Sequence, residues 1–426
     1  MGPRIIAPEV KPDILLAWIA ALFLAACLFS HTVALRLLLL AAGIVLASIT
    51  IARDRHGIKA LPPIWLPFLL WGLWGAASIA WSVEPDRSGK EWRNEVFYTG
   101  AALWICFVGA QARNAGRIVL PVLGIAITAA IATALWTYSR GWAEYLVGWH
   151  SGPGDHSSAL LTLLPCLAMA AWYGSRAGWA RPVRVLIPLL AVLFAASAYF
   201  TLNRTLWLGF AVQLMLLGGL LLIRADAFQR AKLTKARIVS LCLALITVIS
   251  LAFFSIQVTR EATGTGKALA ADHRLLLWPE IIEQIAERPL TGYGFGRGLL
   301  RDPLHAEFRA LDGHLWHAHN IVLEALIQVG VPGLVLLAFL LGMLAHEGWR
   351  YARTADERTM ACGIALIAVL AGMLMRNMTD TLFVRQNSLL FWGIAGVLLG
   401  LPLSRSGPAA YIPAPSGAAA RAQPPG

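Results

Sequence analysis

The stretch Ala318-His-Asn-Ile-Val-Leu-Glu-Ala-Leu-Ile-Gln-Val-Gly-Val-Pro-Gly-Leu-Val-Leu-Leu-Ala-Phe-Leu-Leu-Gly342 decides the fold. It is an apolar run of spanning length, since a helix needs about 20 such residues to cross the hydrocarbon core. Eleven similar runs begin near Asp13, Thr32, Pro63, Trp92, Arg117, His156, Pro182, Asn203, Arg237, Met360 and Asn387. Twelve spans of about 20 residues use roughly 240 residues, a little over half of the 426. The composition agrees: 58% hydrophobic and 14% charged, with a mean hydropathy of +0.66, where soluble chains carry about 25% charged residues. An ordinary soluble enzyme, a long coiled coil, a disordered chain and a secreted disulfide scaffold are excluded. The expected fold is an all-α polytopic membrane protein with about 12 transmembrane helices.

Loop charges orient it. With the N-terminus inside, the inside loops and tails hold 20 Lys and Arg. The short outside loops hold eight: Arg36, Arg87, Lys90, Arg93, Arg140, Arg204, Arg376 and Arg385. The other 7 lie in one long outside loop, which the positive-inside rule does not count. Most of the net charge of +12 is thus a topology signal, and nucleic acid is not an expected partner. Cys27, Cys106, Cys166, Cys242 and Cys362 all fall in apolar runs without CxxC pairing and read as buried or lipid-facing. The first run, with no cleavage-site pattern after it, reads as a retained span.

The expected organisation is helices 1–9 over 1–258, a periplasmic loop over 259–317, helices 10–12 over 318–403, and a disordered cytoplasmic tail over 404–426. Within the loop, Trp278, Ile281, Ile282 and Ile285 follow helical spacing, with Pro279 suited to a first turn. This predicts an amphipathic helix over 278–288 that lies on the membrane or caps a cavity. The following Thr291-Gly-Tyr-Gly-Phe-Gly-Arg-Gly298 has no βαβ context for nucleotide binding and reads as a tight, irregular turn near the headgroups.

Ionisable residues at bilayer depth point to function. Arg204 opens the eighth span, Arg274 lies in the long loop, His319 opens the tenth span, and Arg376 and Asp380 close the eleventh. The topology puts all of them at the outer face. Two arginines can hold a pyrophosphate and stabilise the charge that develops when it leaves. A histidine beside guanidiniums stays neutral and able to accept a proton. The set suits transfer from a phosphate-activated, lipid-linked donor to a hydroxyl. His314, His317 and His319, with His305 upstream, suggest a metal site instead, but 317 and 319 cannot share a helical face and no paired carboxylates accompany them. No metal and no cofactor are expected.

His319-Asn320, nine residues, then Gly330-Val-Pro-Gly333 resembles the HN-x9-GxxG signature of bacterial O-antigen ligases. Arg274-x3-Trp278 and Pro289-Leu-x-Gly292-x-Gly294-x-Gly296 resemble the loop of the wider ligase and polymerase superfamily. The twelve-span plan with one large periplasmic loop between spans nine and ten, GT-C-like, matches as well. The resemblance implies a metal-independent, inverting glycosyltransferase of the bacterial inner membrane, its site facing the periplasm. The donor would be an undecaprenyl-pyrophosphate-linked O-antigen polysaccharide and the acceptor lipid A–core, completing lipopolysaccharide. It maps the essential histidine to His319, the arginines to Arg204 and Arg274, and an acidic residue to Asp380; Asn320 and Arg376 are further candidate supporting residues at the same face. Gly330 and Gly333 are expected to permit close helix packing. The alternatives are an O-antigen or exopolysaccharide polymerase or a protein O-glycosyltransferase, which share the fold, and a secondary transporter. A transporter would show related halves and midplane charges.

Overall fold

The computed structural model describes residues 11–54, 57–176, 181–223, 250–256, 274–300, 317–380 and 383–404, with single positions at 240, 243, 247, 258 and 259. The described residues are helical, without strands. In chain order the helices are α1 (Pro12–Ala26), α2 (Val33–Arg53), α3 (Trp65–Ala77), α4 (Pro85–Trp92), α5 (Tyr98–Ala110), α6 (Gly116–Arg140) and α7 (Trp142–Val147). They continue with α8 (Gly152–Arg176), α9 (Arg181–Phe200), α10 (Arg204–Ile223), α11 (Arg274–Glu287), α12 (Ile321–Ala352), α13 (Glu357–Asn377) and α14 (Arg385–Gly400). A π-helical segment, Arg93–Phe97, joins α4 to α5. Eleven of the twelve apolar runs are helices, and the ninth is helical over 250–256. Among the described residues six helices are long and apolar enough to cross a membrane, so the chain is a multi-pass membrane protein. The expected tail over 404–426 lies outside the described residues beyond Ser404.

Small residues set the packing. A Cβ on Gly396 or Gly400 of α14 would overlap the Leu103 and Phe107 carbonyls of α5. Backbones this close replace the hydrophobic driving force that is absent between helices in lipid. One apolar core runs through α1, α5, α8, α10, α13 and α14. A second, smaller one (Leu277, Ile281, Tyr293, Leu299, Ala318, Ile327) fastens α11 to the start of α12.

Three local expectations are corrected. α11 begins a turn before Trp278, so Pro279 lies inside the helix. Leu277, fully buried, extends the apolar face backwards, while Ile282 is exposed. Gly330 is not a helical packing glycine: it breaks α12, with φ 67° and ψ −174°. The break withdraws intrahelical partners from three carbonyls at membrane depth, where each needs a replacement. The glycine-rich stretch supplies two. Tyr293 N–H donates to Ile327 O (2.9 Å) and Gly294 N–H to Gln328 O (2.9 Å), while Val331 N–H returns to Pro289 O (2.8 Å). The Trp74 indole donates to Val329 O (2.9 Å). The expected surface turn is therefore an extended segment docked into a broken helix. Gly333 does pack closely, its Cα facing Val329 and Trp74.

Candidate functional site

Several helices bring their polar ends to one face. Arg376 Nη2 donates to Gly154 O (3.2 Å), joining the end of α13 to the start of α8. Gln386 and Asn387 of α14 donate to the two oxygens of Asp155 on α8 (2.8 Å each). His156 and Ser197 (2.7 Å) join α8 to the end of α9, and Phe200 stacks on Tyr138 at the end of α6. The α9–α10 turn, and with it Arg204, is thus at this face.

His319 joins this face at the end of α13. It adopts φ 51°, a left-handed conformation uncommon for a side-chain-bearing residue. Asn320 follows as the cap of α12, its Oδ1 accepting from Val322 N–H (2.9 Å) and Leu323 N–H (3.2 Å), and its Nδ2 donates to Met378 O (3.0 Å). That tie sets the end of α13 against the start of α12, and Asp380 Oδ1 comes within 3.3 Å of His319 Nδ1. Burial works against the Asp380 charge, but His319, then Arg376 and His317, outweigh it and hold the carboxyl below its ordinary range. Asp380 is therefore ionised at any pH above about 4. Its contribution to stability is present above that value and is lost only as pH falls through its lowered range.

The turn before Arg204 repeats the backbone design at the start of α12, with Leu202 and Asn203 in the places of His319 and Asn320. Leu202 is left-handed (φ 50°), and Asn203 caps α10 by accepting from Thr205 N–H (3.1 Å) and Leu206 N–H (3.3 Å). Gly209 faces the Gly372 carbonyl of α13, so Arg204 lies roughly 7.5 Å further along α10, toward the end of α13 that carries Arg376. Arg274 is the first residue of α11; its side chain lies outside the described atoms. Trp278, one turn on, donates to Ala318 O (2.9 Å), which fixes this helix to the residue before His319. Arg376 has no exposed surface, and its Nη2 reaches the start of α8.

Residues that the sequence did not single out complete the setting. Glu324, buried in the first turn of α12, accepts from Ala318 N–H through Oε2 (2.9 Å) and from Gln328 Nε2 through Oε1 (2.7 Å). Its Oε2 lies 3.7 Å from His317 Nδ1, and the His317 ring stacks on His319 at 3.7 Å. Burial, only partly offset by Glu324, keeps His317 below the usual histidine range and hence neutral at pH 7. Gln328 Oε1 accepts Gly296 N–H (2.8 Å). One hydrogen-bonded line thus runs from the glycine-rich segment through Gln328 and Glu324 to the backbone that aims His319. Replacing Glu324 with Ala leaves Ala318 N–H and Gln328 without their acceptor, at a cost of roughly 1–3 kcal/mol. The expected outcome is a lower melting temperature, with Glu324→Gln recovering part of the loss because its carbonyl still accepts from Ala318; equal melting of all three proteins refutes the role.

His317, His319 and Asp380 also bring three metal-ligating atoms within 4.8 Å of one another. The helical-face objection to a metal does not apply, because residues 317–320 are not helical, and a carboxylate does accompany the histidines. His305 and His314 lie outside the described residues.

Residues 189–338 match the family model described as O-antigen ligase. That span includes Arg204, Arg274, the glycine-rich segment, His319 and the Gly330 break, and ends before Asp380. The "Putative polysaccharide ligase" of Rickettsia felis is 31% identical over 72 residues, 16% of this chain and 18% of that protein. The protein of the same description in Rickettsia conorii gives the same identity and shares. The chain thus aligns to about a fifth of the length of these curated relatives. The resemblance to the O-antigen ligase superfamily that the motifs carried holds.

Proposed function

We propose that this protein transfers an O-antigen polysaccharide from undecaprenyl pyrophosphate to lipid A–core, at the periplasmic face of the inner membrane. The observation that carries this reading is the His319–Asp380 pair (3.3 Å), set where the starts of α10 and α12 meet the end of α13. With Asp380 ionised, Nδ1 of His319 is the protonated nitrogen, and Nε2 is left to accept the proton of an acceptor hydroxyl. The oxygen attacks the anomeric carbon and forms the new glycosidic bond with inversion. The carbon–oxygen bond to the donor breaks, and undecaprenyl pyrophosphate leaves with the electron pair. Asp380 stabilises the imidazolium so formed, as carboxylates paired to catalytic histidines do. Arg204 and Arg274 bind the pyrophosphate and neutralise its growing charge. The family match and the polysaccharide-ligase relatives support the class of reaction.

Reconstitution with undecaprenyl-pyrophosphate glycan and lipid A–core in EDTA tests the reading. Product on lipid A–core with metal chelated is the expected result. Product only on the growing glycan or on a protein replaces the ligase reading with its alternatives, and dependence on added metal overturns the metal-free chemistry. Arg204→Ala should weaken undecaprenyl pyrophosphate binding by about tenfold or more, the range of one charge-assisted contact. Unaltered binding removes Arg204 from the site.

A further inference from the structure

The same face carries charged groups that the transfer chemistry leaves unused. Asp155, Arg385, Glu95 and Arg297 come from four separate elements: α8, the start of α14, the π-helical segment before α5, and the end of the glycine-rich segment. Gln386 and Asn387 hold Asp155 beside the first residue of α14, Arg385. Arg385 is exposed and left-handed (φ 50°). On the facing wall Glu91 packs on Gly296, and the Ser88 hydroxyl donates to Phe295 O (2.6 Å), so Arg297 emerges next to α4. The start of α14 packs on the π-helical segment that carries Glu95. Arg297 and Arg385 are within electrostatic reach of both Asp155 and Glu95. Among the described residues neither the Glu95 carboxyl group nor the Arg385 guanidinium makes a hydrogen bond, although both lie at the face that holds His319.

Inversion requires the acceptor to approach the anomeric carbon from the side opposite the leaving group. Arg204 is on α10, which packs along α13 and α8, whereas Arg385 is on α14, whose main partner is α5. Carboxyl groups and guanidiniums together suit a polyhydroxylated ligand, the first exchanging hydrogen bonds with sugar hydroxyls and the second donating to sugar oxygens.

We propose that Glu95, Arg297 and Arg385, steadied by Asp155, form the subsite for the acceptor saccharide, on the α14 side of His319 and apart from the pyrophosphate arginines. This rests on the ligase reading and specifies where one of its substrates binds. The test uses full-length protein in nanodiscs with two probes: a fluorescent, delipidated core oligosaccharide and undecaprenyl pyrophosphate. Glu95→Leu, similar in size but without hydrogen-bonding atoms, and Arg385→Ala, at an exposed position, should each weaken core binding by about tenfold and leave undecaprenyl pyrophosphate binding within about twofold of wild type. Melting temperatures check that both variants are folded. Core binding unchanged in folded variants, absent from wild type, or lost in parallel with undecaprenyl pyrophosphate binding overturns the subsite. Transfer by the wild type is read alongside: transfer with variant-insensitive core binding refutes the subsite alone, and variant-sensitive core binding without transfer refutes the ligase reading alone.

Discussion

Replacing His319 with asparagine should abolish glycan transfer, by a factor of about 10² to 10⁴ for loss of a general base, while the protein remains folded in the membrane. Asparagine is the more discriminating substitution. Position 319 holds φ 51°, a conformation that asparagine tolerates and alanine adopts at a cost. Asn320 keeps its cap and its bond to Met378 in either variant, so the start of α12 persists. Asp380→Asn preserves shape but removes the charge that keeps the Nδ1 proton of His319 in place, and transfer should fall by about 10²-fold or more. Single-turnover transfer in detergent, with melting curves for both variants, measures this. Full activity in His319→Asn would falsify the base role and the assignment of the site together.

The largest structural effects should come from two glycines. A Cβ on Gly292 (φ 63°) would overlap the Gln328 carbonyl and Val329 N, and one on Gly330 (φ 67°) the Leu290 and Pro289 carbonyls. Each added Cβ meets backbone rather than a flexible side chain, and each also forces a left-handed alanine. Gly292→Ala or Gly330→Ala should cost more than about 4 kcal/mol, the range of exceptional single substitutions. The expected readout is little folded protein by size-exclusion chromatography. Gly124→Ala, in α6 with open space around its Cα, serves as the control and should change stability by about 1 kcal/mol or less. Equal yields of all three variants would show that the docked segment is dispensable.

Much of this was legible in the sequence because hydrocarbon makes charges conspicuous. The apolar runs located the helices, and His319 and Asp380, 61 residues apart, were read as members of one face from topology alone. What escaped is long-range or non-helical. Glu324 and Gln328 lie inside an apolar run as ordinary polar interruptions; only the fold shows that their partners are Ala318 and Gly296. The periodicity of α12 passes through Gly330 without a signal, since glycine and proline are common in membrane helices. Helical spacing sets His317 and His319 on different faces, but residues 317–320 form an irregular turn with His319 left-handed, and there the two rings stack. Asp155 was hidden because its partners, Gln386 and Asn387, are more than two hundred residues away.

The docking of the glycine-rich segment into the broken helix has a consequence for building chimeras. Residues 289–296 complete the backbone of α12 as its own next turn would, so they behave as part of a core element contributed from elsewhere in the chain. Exchanging the segment between α10 and α12 with that of a related protein would carry this piece away and leave carbonyls at 327 and 328 facing an apolar interior. The transplantable module is therefore discontinuous: the segment itself, the helix from 317 through the break, and the two tryptophans, Trp74 and Trp81, that clasp it through Val329 and Thr291.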